Sequence, residues 1–219
     1  MTPPTADLDI PAFIRANLPL TPVAGRPDLR LHRATPSSRL GRLAAADTER
    51  FGSPYWAYAW GGGLALALHL AAEPGVVAGR SVLDLGSGSG LVAIAAAKAG
   101  ARRVLAADTD PYAAAAIALN AAANGVRVEV QTADLTAGPA PPVEMVLVGD
   151  LFYARELAER VSTFLRRCRA AGATVLVGDP GRAFLPLAQL RPLAAYPMAD
   201  FGDAPDFSAA LGRVFAFEG

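Results

Sequence analysis

The feature that most constrains the fold is an alternation of short β-rich runs with longer alanine-rich or amphipathic runs between residues 81 and 178. This pattern is typical of βαβ units, in which helices join parallel strands. The short runs carry few charges, as expected for a parallel sheet covered on both faces. We predict strands at residues 81–85, 103–107, 127–131, 143–148 and 174–178, and helices at residues 90–99, 111–124 and 155–170.

The N-terminal part of the chain has a different character. Prolines stand at positions 3, 4, 11, 19, 22, 27 and 36, and each one fixes φ and removes a backbone donor, which disfavours long regular elements. Apolar and basic residues alternate over residues 29–33, and this predicts an edge strand. The apolar run 61–72 is too short to span a bilayer and predicts a buried helix.

Residues 193–199 and 213–217 are the last predicted strands, which brings the sheet to seven. We therefore predict a Pro-rich extension over residues 1–40 and a single domain over residues 41–219. With 219 residues, 53% of them hydrophobic and 18% charged, the chain can bury a full core. The predicted fold class is α/β, in the seven-strand variant of the doubly wound, Rossmann-like fold.

Composition excludes several kinds of function. Lysine plus arginine equals aspartate plus glutamate at 20 each, so no net charge attracts nucleic acid or an anionic membrane. One cysteine, Cys168, excludes an intramolecular disulfide, and the distant His32 and His69 make a metal site unexpected. Asp7 and Asp9 stand where a secretory signal needs basic and apolar residues. We expect a cytoplasmic protein.

A glycine loop follows the strand predicted at residues 81–85. Gly86, Gly88 and Gly90 alternate with other residues and lead into a helix, which places backbone amides and a helix N-terminus at a topological switch point. Nicotinamide-binding loops carry G-x-G-x-x-G, yet position 91 is leucine and Asp84 stands two residues before the first glycine. The loop favours S-adenosylmethionine (AdoMet) over NAD, with Asp84 and the three glycines as binding residues. Glycine-rich turns also arise for steric reasons alone.

Two further aspartates follow predicted strands. Asp108 ends the second strand, 18 residues after Gly90, where a carboxylate can accept both hydroxyls of a cofactor ribose. A helix cap is the structural alternative, but Asp110, followed by proline, is already the predicted cap. Asp134 follows the third strand and is predicted to accept from the adenine amino group, unless it only forms an Asx-turn.

Four stretches together carry a family resemblance: residues 54–63, 84–90, 149–153 and 178–182. They resemble the electron transfer flavoprotein beta subunit lysine methyltransferases, which belong to the seven-strand protein methyltransferases with a D/E-x-x-Y/F motif after the fourth strand. The resemblance covers roughly residues 50–185. It implies a class I AdoMet-dependent fold, release of S-adenosylhomocysteine, and a protein-lysine substrate, the electron transfer flavoprotein beta subunit.

By this resemblance, Asp150 and Tyr153 lie at the mouth of the methyl channel. Base aminomethylases carry N-P-P-Y or D-P-P-F here, and Leu151-Phe152 departs from that pattern. A carboxylate paired with an ammonium raises its pKa, so Asp150 is assigned substrate positioning with a proton relay as an option, rather than a simple general base. Tyr153 supplies an aromatic wall and a hydroxyl. The alternative is a loop carboxylate beside a core aromatic.

The resemblance also places Trp60 against the cofactor adenosine, with the glycines at 61–63 letting backbone approach it. The simpler alternative is core packing, with Trp56 and Trp60 on one face if the segment is helical. Residues 179–182 form a turn that becomes a wall of the substrate cleft only by family likeness, and Arg182 is left out of the catalytic set.

The predicted function is therefore AdoMet-dependent lysine methylation by a monomeric enzyme. Two alternatives would have the same cofactor-binding half of the site: a small-molecule N-methyltransferase of the nicotinamide type and a ribosomal-protein methyltransferase. A third, of another class, is a non-catalytic AdoMet-binding or NAD-binding module. The sequence does not define the target lysine or the number of methyl groups added.

Overall fold

The structure is a computed structural model that describes residues 9–198 and 210–219. Its strands are β1 (Leu20–Val23), β2 (Arg26–His32), β3 (Ser81–Leu85), β4 (Arg103–Asp108), β5 (Glu129–Thr132), β6 (Met145–Gly149), β7 (Thr174–Asp179), β8 (Leu190–Met198) and β9 (Ala210–Phe217). Its α-helices are α1 (Ile10–Asn17), α2 (Leu40–Ala46), α3 (Gly61–Ala72), α4 (Leu91–Lys98), α5 (Pro111–Ala123) and α6 (Arg155–Ala170).

Seven strands form one sheet in the order β5-β4-β3-β6-β7-β9-β8. The pairs from β5 to β7 are parallel, and β9 runs antiparallel to both β7 and β8. The chain moves outward from β3 to β5 and then returns to place β6 on the other side of β3. This reversal creates a crevice at the carboxyl ends of β3 and β6, where doubly wound proteins bind their ligands. The predicted seven-strand α/β fold is confirmed.

Helices cover both faces of the sheet because successive strand residues point to opposite sides. Val82 packs in one apolar cluster with α3 and α4, and its neighbour Leu83 packs in another with α6. Helix α5 begins as predicted, since the Asp110 side chain accepts from the Tyr112 amide and Pro111 fills the first helical position. These packed layers hold the strand ends in fixed positions around the crevice.

Some predicted boundaries differ from those in the structure. The strand at residues 81–85 is confirmed residue for residue, whereas β5 begins at Glu129 rather than at 127 because the ladder starts where Glu129 pairs with Leu105. Val128 still packs against the core, so its apolar character reflects burial and not strand pairing. The two last strands begin earlier than predicted, and Ala199 lies outside the described residues.

The N-terminal region forms short elements, as its prolines predict. Helix α1 is followed by the antiparallel hairpin β1-β2, which forms a two-stranded sheet separate from the main one. Leu29 and Leu31 of β2 are fully buried in the core that also contains α4 and α5 residues. The division at residue 40 stays a prediction. Within the part of the chain described, no helix combines the length and apolar character needed to cross a membrane.

Candidate active site

A cavity of about 600 Å³ opens at the carboxyl ends of the parallel strands. Seven of the nine predicted site residues line it: Trp60, Gly86, Gly88, Asp108, Asp134, Asp150 and Tyr153. Asp84 and Gly90 are not among the lining residues. The walls also include Ser53, Tyr55 and Arg160, which sequence reasoning did not assign a role, and Arg182, which the family likeness placed at the cleft wall but outside the catalytic set. The volume is within the range of about 300–1,000 Å³ that is common for small-molecule sites.

The glycine loop between β3 and α4 depends on left-handed backbone. Gly86, Gly88 and Gly90 have φ values of +66°, +53° and +83°, which L side chains rarely adopt. A Cβ at Gly86 would also lie 2.6 Å from the Leu151 side chain, and one at Gly90 would lie 3.3 Å from the Ile117 backbone. Gly86 and Gly88 therefore form the cavity wall, and Gly90 lets the start of α4 pack closely on α5.

Asp84 supports the glycine loop from beneath. Its side chain is 1% exposed, and its Oδ2 accepts from the Ser87 hydroxyl at 2.5 Å and from the Ala93 amide at 3.0 Å. Burial raises the pKa of Asp84 to about 7, against the lowering effect of these two hydrogen bonds. The carboxyl group thus connects β3 to the loop and to the first turn of α4. Direct binding of cofactor by Asp84 stays a prediction.

Asp108 has a structural role that the sequence argument overlooked. Its Oδ2 accepts from the Gly88 amide at 2.8 Å and its Oδ1 from the Asp110 amide at 3.0 Å. Asp108 therefore has structural hydrogen bonds of its own, although Asp110 is the cap of α5. A carboxylate has about four acceptor positions, so Asp108 retains capacity for ligand hydroxyls while it holds the loop.

Asp134 follows β5 and begins a short 3-10 turn. Its Oδ1 accepts from both the amide and the hydroxyl of Thr136, at 2.9 Å and 2.5 Å, which is the Asx-turn alternative considered above. These hydrogen bonds lower the pKa of Asp134. Its Oδ2 lies 3.7 Å from Nη1 of Arg160 at the cavity wall. Contact with an adenine amino group stays a prediction.

Asp150 is the first residue after β6 and has a strained backbone. Its φ is +60°, and its amide donates to the Gly178 carbonyl at 3.1 Å. Its Oδ2 accepts from the Gly63 amide in the first turn of α3 at 2.8 Å, where the helix dipole favours a negative charge. Its Oδ1 accepts from Nε and Nη2 of Arg182, at 3.0 Å and 2.6 Å. Strain of this kind is typical of functional sites.

The glycine run at residues 61–63 forms the first turn of α3 and packs against two strand ends. A Cβ at Gly62 would lie 2.2 Å from the Gly178 carbonyl oxygen, and one at Gly149 would lie 3.0 Å from Gly63. The run therefore lets the N-terminus of α3 reach the ends of β6 and β7. This close approach is what allows the Gly63 amide to bind the Asp150 carboxylate.

Three aromatic residues, Tyr55, Trp60 and Tyr153, form an aromatic rim at the cavity mouth. The Tyr55 ring lies 5.7 Å from Trp60 and 5.6 Å from Tyr153, centroid to centroid. Tyr55 and Tyr153 are each nearly half exposed, at 49% and 46%. Burial of the hydroxyl raises the pKa of Tyr153 above its usual value, so this phenol is neutral at physiological pH and can donate a hydrogen bond.

The two tryptophans do not share a helical face. Trp56 lies in a short 3-10 turn, is 1% exposed and stacks on Tyr112. Trp60 is extended and caps α3, and its indole donates to the Tyr55 carbonyl at 2.8 Å. Both tryptophans line the cavity, but Trp56 is packed in a core cluster with Tyr112, whereas Trp60 joins the aromatic rim.

Arg182 and Tyr55 are the main site residues to which sequence reasoning gave no specific role. Arg182 lies in a predicted turn, and Tyr55 lies within the motif at residues 54–63. One available signal was that residues just after β7 lie at the same edge of the sheet as those after β6. For Tyr55 no such signal exists, because it precedes the sheet in sequence.

Comparison with known proteins decides the family. Residues 65–178 match the family described as Ribosomal protein L11 methyltransferase (PrmA). The chain is 39% identical over 198 residues to the electron transfer flavoprotein beta subunit lysine methyltransferase of Xenopus laevis, covering 88% of this chain and 80% of the relative. The human protein of that name is 39% identical over 179 residues, covering 80% and 68%. The chain belongs to the electron transfer flavoprotein beta subunit lysine methyltransferase family.

Membership of this family makes the chain a methyltransferase, as predicted, and its methyl donor is AdoMet. A solved structure of the same fold is magnesium protoporphyrin IX methyltransferase from Synechocystis PCC 6803 with bound SAM. It has a TM-score of 0.50 and 20% identity, covering 72% of this chain and 78% of that one. This likeness shows the fold alone. The non-catalytic alternative is not favoured.

Proposed function

We propose that this methyltransferase transfers a methyl group from AdoMet to a lysine side chain of the electron transfer flavoprotein beta subunit. The observation that carries the proposal is the identity of 39% over most of the chain to relatives named for that reaction. The location of the Asp150-to-Tyr153 motif at the mouth of the cavity supports it. A nearly half-exposed aromatic rim suits the long apolar stem of a lysine reaching in from a protein surface.

The residues of the cavity fit AdoMet. Gly86 and Gly88 line the cavity, while their amides donate to the Ala107 carbonyl and the Asp108 carboxylate. The turn precedes the N-terminus of α4, which favours a carboxylate, and Asp108 has spare acceptor positions for ribose hydroxyls. Trp60 and Tyr153 supply apolar surface. When bound, AdoMet supplies an electrophilic methyl group on a sulfonium. We assign Gly86, Gly88 and Asp108 to its binding.

The lysine must arrive as a neutral amine. At an unperturbed pKa near 10.4, only about one amine in several thousand is deprotonated at pH 7. The amine nitrogen uses its lone pair to form a bond to the methyl carbon as the carbon–sulfur bond breaks, so the positive charge passes from sulfur to nitrogen. Asp150 positions the amine, and Tyr153 forms one wall of the channel and offers a hydrogen bond.

Ribosomal protein L11 is the second candidate substrate. The match of residues 65–178 to the family described by that name favours it. The matching relative from Geobacter sulfurreducens is 39% identical over 97 residues, but these make up only 31% of its length. The range 65–178 contains the Asp150-to-Tyr153 motif as well as Gly86, Gly88 and Asp108, whereas Tyr55 and Arg182 lie outside it.

Incubation of the purified enzyme with labelled AdoMet and purified electron transfer flavoprotein beta subunit tests the proposal. We expect label on lysine, located by peptide mass spectrometry, and none with the Asp150→Ala enzyme beyond a slow residual rate. Ribosomal protein L11 serves as the comparison substrate. Label on L11, or only in small metabolites, with the beta subunit unmodified, would refute the proposed substrate.

The remaining parts of the proposal concern the type of substrate, the oligomeric state and the cellular compartment. Equal numbers of basic and acidic residues, 20 each, support a protein substrate over nucleic acid or a membrane surface. We propose a monomer in the cytoplasm. Size-exclusion chromatography with light scattering and fractionation of native cells test these two points.

A further inference from the structure

Asp150 and Arg182 form a nearly buried ion pair inside the cavity. Their side chains are 11% and 21% exposed, and two nitrogens of the guanidinium converge on the same carboxylate oxygen. Charge-assisted contacts of this kind are stronger than neutral ones and define geometry. The negative charge of Asp150, the residue assigned to substrate positioning, is therefore balanced by the guanidinium of Arg182.

Arg182 is itself held in place. Its backbone amide and that of Gly181 donate to Oδ1 of Asp179, both at 2.7 Å. Its guanidinium lies over the Trp60 ring, 5.7 Å from the centroid, within the range of cation–π attraction. These contacts of the turn after β7 direct the Arg182 side chain toward Asp150.

This pairing resolves a chemical difficulty of the proposed reaction. An unpaired carboxylate next to the target would stabilise the ammonium form of lysine and raise its pKa, yet only the neutral amine reacts. A carboxylate neutralised by a guanidinium can still accept a hydrogen bond from the amine. Such a neutralised carboxylate adds little electrostatic stabilisation of the ammonium form of lysine.

We propose that Arg182 is a positioning residue that neutralises Asp150, so that the target lysine binds next to the carboxylate as a neutral amine. The inference rests on the proposed lysine methylation and deepens it. Arg182 acts through Asp150 and the local charge, and does not take part in bond making.

The test is the pH dependence of kcat, which reports groups in the enzyme–substrate complex. Arg182→Met removes the charge and keeps an apolar stem. We expect the acidic limb of the profile to move upward by about one pH unit, so that kcat at pH 7 falls about tenfold while the rate at alkaline pH recovers. Arg182→Lys retains a cation and should keep a midpoint close to that of the wild type.

Two controls accompany the profile. Arg166→Met removes an exposed arginine of α6 that contacts Thr163 and Gln189, and its profile should match the wild type. Affinity for S-adenosylhomocysteine, which has no sulfonium charge, should be nearly unchanged in Arg182→Met. A fall in kcat by one factor at every pH, or loss of S-adenosylhomocysteine binding, would overturn the inference, since either shows a purely structural role.

The design separates two kinds of failure. If the wild-type enzyme does not methylate lysine on the beta subunit, the proposed function fails. If it does so, and Arg182→Met leaves the midpoint of the acidic limb in place, only the role of Arg182 is refuted.

Discussion

Replacing Gly62 by alanine tests the contact on which the position of Asp150 depends. The new Cβ would lie 2.2 Å from the Gly178 carbonyl oxygen and 2.8 Å from Oδ2 of Asp150. Real Cβ atoms essentially never approach another heavy atom closer than 3.0 Å, so the helix end or the strand end must move by 0.8 Å. The nearest obstacle is backbone of β7, which cannot rotate away as a side chain can.

The size of the effect follows from two opposing contributions. Alanine is more favourable than glycine in a helix by up to about 1 kcal/mol, and overpacking a rigid site costs about 1–3 kcal/mol or more. With backbone on both sides of the contact, we expect Gly62→Ala to lower the free energy of unfolding by about 2 kcal/mol. For a chain of this size that is a fall in Tm of roughly 4–8 °C.

Gly63→Ala is the matched control, one residue further along the same helix. Its Cβ would meet only the Val92 side chain at 3.5 Å and Leu91 at 3.9 Å, which are ordinary contacts. Urea denaturation and thermal melts should show Gly63→Ala unchanged or slightly stabilised, since it gains up to about 1 kcal/mol in helix propensity. Equal stability of the two variants would refute the packing argument.

Three further predictions concern Asp108, Asp84 and Tyr153. Asp108→Ala should weaken binding of S-adenosylhomocysteine in calorimetry far more than Asp134→Ala, because Asp108 also holds the Gly88 amide; the reverse order would contradict the roles assigned. The folded pKa of Asp84, about 7, lies above its ordinary value of 3.8, so the stability it contributes is complete below pH 3.8 and is lost as pH rises through 7. Relative to Asp84→Asn, wild-type unfolding free energy should fall by up to about 1.4 kcal/mol per pH unit across that window, and a flat difference in urea titrations would refute this. Tyr153→Phe should lower kcat only modestly, because the ring wall remains, and a loss as large as that of Asp150→Ala would show a proton-transfer role for the hydroxyl.

Much of the fold follows from sequence because burial leaves a local pattern. Strand β3 was predicted residue for residue, since all five of its residues are buried and Gly86 ends it with a left-handed φ. The cap of α5 was predicted because Asp110 and Pro111 are adjacent and act locally. The first residue of β5 was not predicted correctly. Val128 is apolar because it packs against the core, and strand pairing begins only where Glu129 meets Leu105 of β4.

The candidate site was predictable to the extent that it follows strand ends. Asp108, Asp134 and Asp150 could be placed at one edge of the sheet because each follows a parallel strand. The pairing of Asp150 with Arg182 spans 32 residues of sequence and depends on the left-handed backbone of Asp150, which no local pattern indicates.

A crystal structure of the enzyme with S-adenosylhomocysteine tests the central claim most directly. The account predicts ribose hydroxyls within hydrogen-bond distance of the Asp108 carboxylate and the thioether sulfur directed toward Asp150 and Tyr153, with the Asp150–Arg182 pair intact. A nucleotide bound outside this cavity, or with its sulfur directed away from Asp150, would contradict it.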